Sequence, residues 1–454
     1  MDRLFGDEAL NRRFRRGQLK VLVGTMIGYT LFYFLRKNLS FAMPGLAQDY
    51  GVTKTGLGLF LTLHGVVYGL SKYVNGVVGD RSNSRKFLSL GLFLCLVVNV
   101  LFGFGPVFAA MLSGASAGET YVSTLVVVLG VLWVANGFFQ SMGFAPCARL
   151  IAFWIPPNRL ATMMGLWNTS HSVGAGLVTI LCGYIMGLGT LGTDGAGIGM
   201  WRWCFWAPSA LAAAGLVLVW LLLPDTPREE GLPDVPGTEN AEKGVDAVRP
   251  DARRMIYLNP AIWVLGLCNL TINLIRFAIL DWGPMLLKES KGVALGKAGW
   301  LIAAFEIAGI LGMIVAGWAT DRLAGGRGPR VCVFFLVGAA AFMTLFALLP
   351  PVAPTRLLIS ALVGAGFCVY GPYAVTGVTA TNLATKSLAG TAVGFIGIFA
   401  YASVIFSGVV MGALAERFGG WNVPFVTMIG VAVLGAGFFA LLWRSKATGY
   451  ERRT

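Results

Sequence analysis

Twelve long apolar runs dominate the chain, near residues 19–46, 56–79, 87–110, 122–146, 160–187, 203–223, 259–285, 297–319, 331–350, 355–380, 388–414 and 422–443. Each is long enough for a helix to cross about 30 Å of hydrocarbon, which takes about 20 residues. Lipid offers no water to backbone N–H and C=O groups, so such runs must close their hydrogen bonds internally, as helices do. The pattern predicts an all-α membrane protein with twelve transmembrane helices. Charge content agrees, since 12% of the 454 residues are charged, against roughly 25% in a soluble domain. The 61 glycines suit helices that pack closely in lipid.

The net charge of +14 has to be read by side before it is read by sum. Arg12, Arg13, Arg15, Arg16 and Lys20 precede or open the first run, and Arg81, Arg85 and Lys86 follow the second. Arg249, Arg253 and Arg254 lie between the sixth and seventh, Arg322, Arg327 and Arg330 follow the eighth, and Arg444, Lys446, Arg452 and Arg453 end the chain. With both termini cytoplasmic, all of these fall on one side, as the positive-inside rule requires. The expected setting is the lipid bilayer of the inner (plasma) membrane, with no nucleic-acid partner. Met1 to Gln18 is polar and the first apolar run is long enough to span, so no cleaved signal peptide is expected.

Chemistry-bearing motifs are missing. No GxxxxGK[ST], GxSxG or HExxH occurs, and Cys95, Cys147, Cys182, Cys204, Cys268, Cys332 and Cys368 lack metal-ligand spacing. Neither an enzyme nor a metal or other cofactor is expected, and the cysteines read as packing residues.

The polar stretch 224–258 divides the chain. The expected organisation is a tail over 1–18, a six-helix half over 19–223, a cytoplasmic linker over 224–258, a second six-helix half over 259–443 and a tail over 444–454. An internal repeat supports the division. Gly76-Val-Val-Gly-Asp80-Arg81 matches Gly317-Trp-Ala-Thr-Asp321-Arg322, and Arg36 matches Arg276. Ala145-Pro146 then matches Gly371-Pro372, and Trp201-Arg-Trp-Cys-Phe205 matches Trp421-Asn-Val-Pro-Phe425, in the same order. Two pseudo-symmetric six-helix halves with a midplane substrate site form the major facilitator architecture.

Ionisable residues inside the runs carry the functional signal, because a cation at the bilayer centre costs roughly 2.5–3.5 kcal/mol and usually faces a ligand path. Arg36, Lys37, Lys72 and Arg276 outnumber Glu306, the one acid deep in a run. Guanidinium is a planar fork matched to phosphate or carboxylate oxygens. Arg36 and Arg276, one in each half, are therefore expected to meet one dianion from opposite sides. The alternative is that each pairs with a carboxylate and supports packing. His171 is placed either to bond substrate or to pack as a hydrogen-bonded imidazole. Lys37 adjoins Arg36 but cannot share its direction on a helix, and Lys72 suits a way-station for an anion. Tyr33, Tyr68, Tyr370 and Tyr401 offer hydroxyl donors or plain packing. The duplicated Asp80-Arg81 and Asp321-Arg322 pairs suit a charge cluster that breaks and reforms as a gate.

Several blocks carry a resemblance. Tyr33-Phe-Leu-Arg36-Lys37-Asn-Leu-Ser-Phe-Ala-Met-Pro44, Tyr68-Gly-Leu-Ser-Lys72, Gly79-Asp80-Arg81-Ser-Asn83, Trp167-Asn-Thr-Ser-His171, Arg276-Phe-Ala-Ile-Leu-Asp281-Trp282 and Tyr370-Gly-Pro372 resemble the organophosphate:phosphate antiporter family of the major facilitator superfamily. The resemblance implies exchange of an organic phosphate ester, such as glycerol-3-phosphate or a sugar phosphate, for inorganic phosphate; a monomer is expected. It equates Arg36 and Arg276 with the family's paired phosphate-binding arginines, and His171, Lys72 and Glu306 with its site histidine, helix-two lysine and helix-eight glutamate. After Tyr401 the run Ala-Ser-Val-Ile-Phe-Ser-Gly lacks the acid and lysine of the hexose-phosphate carriers, which leans toward a smaller ester. Lys297 to Glu306 and Gly325-Gly-Arg-Gly-Pro329 resemble the family's sensor branch instead. A non-transporting sensor of hexose phosphate with a histidine-kinase partner is thus the alternative.

Overall fold

The computed structural model describes residues 8–188, 199–235, 257–351, 353–383 and 389–444. Among these, eleven helices are long and apolar enough to cross a membrane. The remaining run forms the 27-residue helix Lys54–Asp80, which carries His64, Ser71, Lys72 and Asn75 among its apolar residues. Residues 1–7 and 445–454 and most of the linker, with Arg249, Arg253, Arg254, Lys446, Arg452 and Arg453, lie outside the described residues.

Four of the runs are interrupted where an unbroken helix is expected; the third divides at Phe104 into Ser84–Gly103 and Gly105–Ser113. The first consists of Glu8–Phe34 and Leu39–Tyr50, with a break over 35–38. The fourth consists of Glu119–Gln140 and Phe144–Trp154. Here Pro146 falls in the first turn of the second piece, where its missing N–H leaves no intrahelical bond unmade. The eleventh passes from Ala389–Ile405 through a π-helical turn, Phe406–Val410, into Met411–Arg417. That turn is held from outside: Trp282 Nε1 donates to the Ser407 carbonyl at 2.8 Å, and Val409 N–H donates to the Thr62 hydroxyl at 2.9 Å.

The chain forms two compact units. One contains Met1–Leu39, Val67–Val178 and Trp201–Ala247. Its core joins Phe14, Phe32, Leu88, Trp154, Trp167 and Val219, all essentially inaccessible, and Phe102 stacks on Phe205 with centroids 4.2 Å apart. The described start of the linker packs here as well. Trp154 Nε1 donates to the Asp225 carbonyl at 2.9 Å, Asp225 accepts from Ser84 N–H at 3.0 Å, and Leu232 and Val235 are buried.

The other unit contains Ser40–Val66, Thr179–Met200 and Val248–Thr454. In it Leu295–Arg322 packs on Thr355–Leu383, and Gly328–Leu348 packs on both Thr355–Leu383 and Asn422–Leu441. Small residues permit close crossings: a Cβ added to Gly299 would lie 2.5 Å from the Thr179 carbonyl oxygen, and one added to Gly312 2.0 Å from that of Phe367. This is the small-residue packing by which helices associate when water supplies no driving force between them.

Candidate functional site

In the first unit the helix break creates the setting of Arg36. Arg36 N–H turns to the Tyr33 carbonyl (3.3 Å), as does Lys37 N–H (3.0 Å), so neither serves the carbonyl of Phe32. Buried backbone oxygens left this way in a membrane need other donors. Three amide side chains supply them. Gln140 Nε2 donates to the Phe32 carbonyl at 2.9 Å, while Asn136 Nδ2 (2.9 Å) and Asn99 Nδ2 (3.1 Å) both donate to that of Leu35. Asn38 Nδ2 locks the set by donating to Asn99 Oδ1 at 2.8 Å. Asn38, Asn99, Asn136 and Gln140 are all buried.

The Arg36 guanidinium carbon lies 4.3 Å from the Tyr68 ring centroid and 5.7 Å from that of Tyr33. Tyr33 in turn lies 5.6 Å from the His171 ring. Face contacts of this kind attract a cation by about 0.5–2 kcal/mol and leave its in-plane N–H donors directed sideways, where planar oxyanions bind. His171 is buried. Its Nδ1 meets the Asn168 carbonyl, and its Nε2 lies 3.3 Å from the Ser172 hydroxyl. Lys72 is half-buried with Nζ 4.3 Å from the Phe144 ring. Lys37 is buried within the break itself.

The second unit repeats the device on different elements. Arg276, 4% exposed on Pro260–Lys291, has its guanidinium carbon 4.8 Å from the Tyr370 ring and 5.0 Å from the Tyr373 ring. One turn and two turns back on the same face stand buried Asn273 and Asn269. Asn273 Nδ2 donates to the Asn269 carbonyl at 2.8 Å, and Asn269 Nδ2 donates to Ile396 O at 2.8 Å. Glu306 is 1% exposed, and both its charge and that of Arg276 act on the Tyr370 hydroxyl. Tyr401 is half-buried on Ala389–Ile405.

Of the residues expected to form a gate, Asp80 closes the helix Lys54–Asp80, but its side chain lies outside the described residues. Arg81, Asp321 and Arg322 are exposed. The loop after Asp80 is gripped instead by Arg149, whose Nη1 donates to the carbonyls of Gly79 (3.0 Å) and Ser82 (2.7 Å). Sequence reasoning missed Arg149, the Asn99, Asn136 and Gln140 amides, and Tyr373. The amides carried a usable signal, since three carboxamides within apolar runs have to find partners.

Helices that span lipid, grouped into two units, define a multi-pass membrane protein of the transporter class. The crystal structure of a bacterial homolog of the human lysosomal transporter Spinster aligns with a TM-score of 0.74 at 17% identity, covering 99% of this chain and 100% of that one. A D-xylose-proton symporter structure aligns at 0.70 and 14%, covering 94% and 98%. At these identities the likeness concerns fold alone. The chain belongs to the Major Facilitator Superfamily, whose model matches residues 25–401 and 283–453, a family of transporters and not of enzymes. Within it, the chain is 34% identical to the glycerol-3-phosphate transporter of Bacillus subtilis, covering 97% of this chain and 95% of that protein. It is 32% identical to a probable hexose phosphate transport protein of Chlamydia pneumoniae (96% and 94% covered) and 32% identical to the membrane sensor protein UhpC of Escherichia coli K12 (95% and 93% covered).

Proposed function

We propose that this chain is a secondary transporter that exchanges an organic phosphate ester for inorganic phosphate, with Arg36 and Arg276 as its phosphate-binding groups. The observation that carries the proposal is the duplicated arginine. In each unit one guanidinium from an apolar span is seated over two tyrosines, Tyr68 and Tyr33 for Arg36, Tyr370 and Tyr373 for Arg276. Fixed, permanently charged forks of this kind suit a dianion better than a neutral sugar. The names of the relatives support a phosphate ester as cargo. The absence of an acid or lysine after Tyr401 favours a three-carbon ester over a hexose phosphate. His171, Lys72, Lys37, Tyr401 and Glu306 complete the proposed substrate-binding set, and Asp80, Arg81, Asp321 and Arg322 the gate.

Exchange follows from differential binding, because a ligand shifts a conformational equilibrium only as far as it favours one state. An anion that neutralises Arg36 and Arg276 favours the states through which the loaded carrier passes, and the empty carrier lacks that help. The carrier works as a monomer in the inner membrane with both termini cytoplasmic. The test is efflux of labelled phosphate from loaded vesicles against a panel of three- and six-carbon phosphate esters. Ester-dependent efflux is expected, and uptake driven by a pH gradient without internal phosphate would overturn exchange. The 32% identity to a sensor favours one second reading, hexose-phosphate sensing with a kinase partner. Binding without counterflow in the same vesicles would select it.

A further inference from the structure

The first unit holds a second cluster of cations, separate from Arg36. A cavity of about 210 Å³ opens between the start of Glu8–Phe34 and the end of Trp203–Leu222. Arg13, Arg16, Lys20 and Arg85 line it against a single carboxylate, that of Glu230. The first three are spaced i, i+3 and i+7, so one face of one helix presents them together. Arg85 comes from a different helix and is fixed: its guanidinium carbon lies 4.4 Å from the Trp220 ring, and its buried Nε has no hydrogen-bond partner among the described residues.

The cavity is built, and goes beyond a scatter of charge at a membrane face. Its floor is Trp154, held by Nε1 donation to the Asp225 carbonyl at 2.9 Å and by Gln18 Nε2 donation to its own carbonyl at 2.8 Å. The helix bearing the cations comes this close because residue 17 is glycine, where a Cβ would fall 2.0 Å from the Trp154 ring. Arg13 is steadied by donation to the Glu230 carbonyl at 3.3 Å. The walls are Leu221, Leu222 and Leu223, of which Leu221 (73%) remains largely exposed. The positive-inside rule explains basic residues on this side but not their convergence on one concavity.

We propose that this pocket binds the phosphate headgroup of an anionic phospholipid, with the acyl chains lying along the leucine wall. A soluble phosphate would satisfy the cations but has no use for an apolar wall open to the bilayer. A zwitterionic headgroup would bring its own cation into a cluster of four. Anionic headgroups gain about fivefold in affinity for each nearby Lys or Arg.

The test is native mass spectrometry of the full chain, purified in detergent and titrated with dioleoyl phosphatidylglycerol or dioleoyl phosphatidylcholine. R16Q/K20Q removes two exposed cations of the pocket, while R12Q/K86Q removes two exposed cations that do not line it. Phosphatidylglycerol adducts are expected to dominate, to weaken about 25-fold in R16Q/K20Q, at about fivefold per charge, and to persist in R12Q/K86Q. Equal weakening in both variants would reduce the effect to general surface charge and overturn the pocket. Equal retention of phosphatidylcholine would overturn the headgroup assignment. Displacement of phosphatidylglycerol by inorganic phosphate alone, lost in R16Q/K20Q, would assign the pocket to a soluble anion instead.

Discussion

Gln140→Leu isolates the contribution of the interrupted first span. Leucine is somewhat larger than glutamine, so the change opens no cavity; it removes the side-chain donor that meets the Phe32 carbonyl among the described residues, 2.9 Å away. With Arg36 N–H committed to Tyr33, that oxygen is left buried and unsatisfied, at a cost of about 1–3 kcal/mol. Hydrogen bonds measured in membrane proteins average nearer 0.6 kcal/mol because the altered state finds other partners. Here the available partner is Arg36 N–H itself, and recruiting it heals the helix and swings Arg36 off the Tyr68 ring. Either outcome weakens the Arg36 site, the first by strain and the second by displacement. We expect binding of labelled phosphate to weaken about tenfold, which is about 1.4 kcal/mol, with altered amide hydrogen exchange over residues 32–37. Phosphate affinity within twofold of wild type, together with unchanged exchange at those amides, would refute the role given to Gln140.

Other expectations are more direct. Arg276→Lys keeps the charge but loses the planar fork, so vesicle exchange should fall by more than tenfold; near-normal phosphate uptake would remove the bidentate role. Tyr68→Phe keeps the ring 4.3 Å from Arg36 and should bind phosphate nearly as well as wild type, whereas Tyr68→Leu should weaken binding several-fold; equal loss in both would point to the hydroxyl instead. Gly299→Ala should lower the melting temperature because its Cβ would stand 2.5 Å from backbone oxygen, and overpacking costs about 1–3 kcal/mol. Gly317→Ala on the same helix meets nothing within 4 Å and should be neutral or stabilising by up to about 1 kcal/mol; thermal melts that rank the two the other way would contradict the packing. Thr62→Val removes the hydroxyl that accepts from Val409 N–H at 2.9 Å, and faster amide exchange at Val409 should report it.

Spanning helices were legible because insertion is decided locally, by the summed transfer of about 20 side chains from water to lipid. Arg36, Arg276 and Glu306 stood out for the same reason, as charges that lipid penalises within runs that lipid accepts. The break at 35–38 was not legible. Its residues, Leu-Arg-Lys-Asn, include neither proline nor glycine, and the interruption persists because Asn99, Asn136 and Gln140 arrive from other helices to take the stranded carbonyls. Tyr373 was overlooked beside Tyr370 because one sequence cannot show which of several aromatics meets a particular guanidinium. Composition alone thus determines that this chain lies in a membrane, and where charge is costly there. Which oxygen each amide satisfies, and which ring each arginine covers, is settled through space, since a hydrogen bond or a ring contact depends on separations of a few ångströms between residues such as Asn269 and Ile396 that stand 127 positions apart.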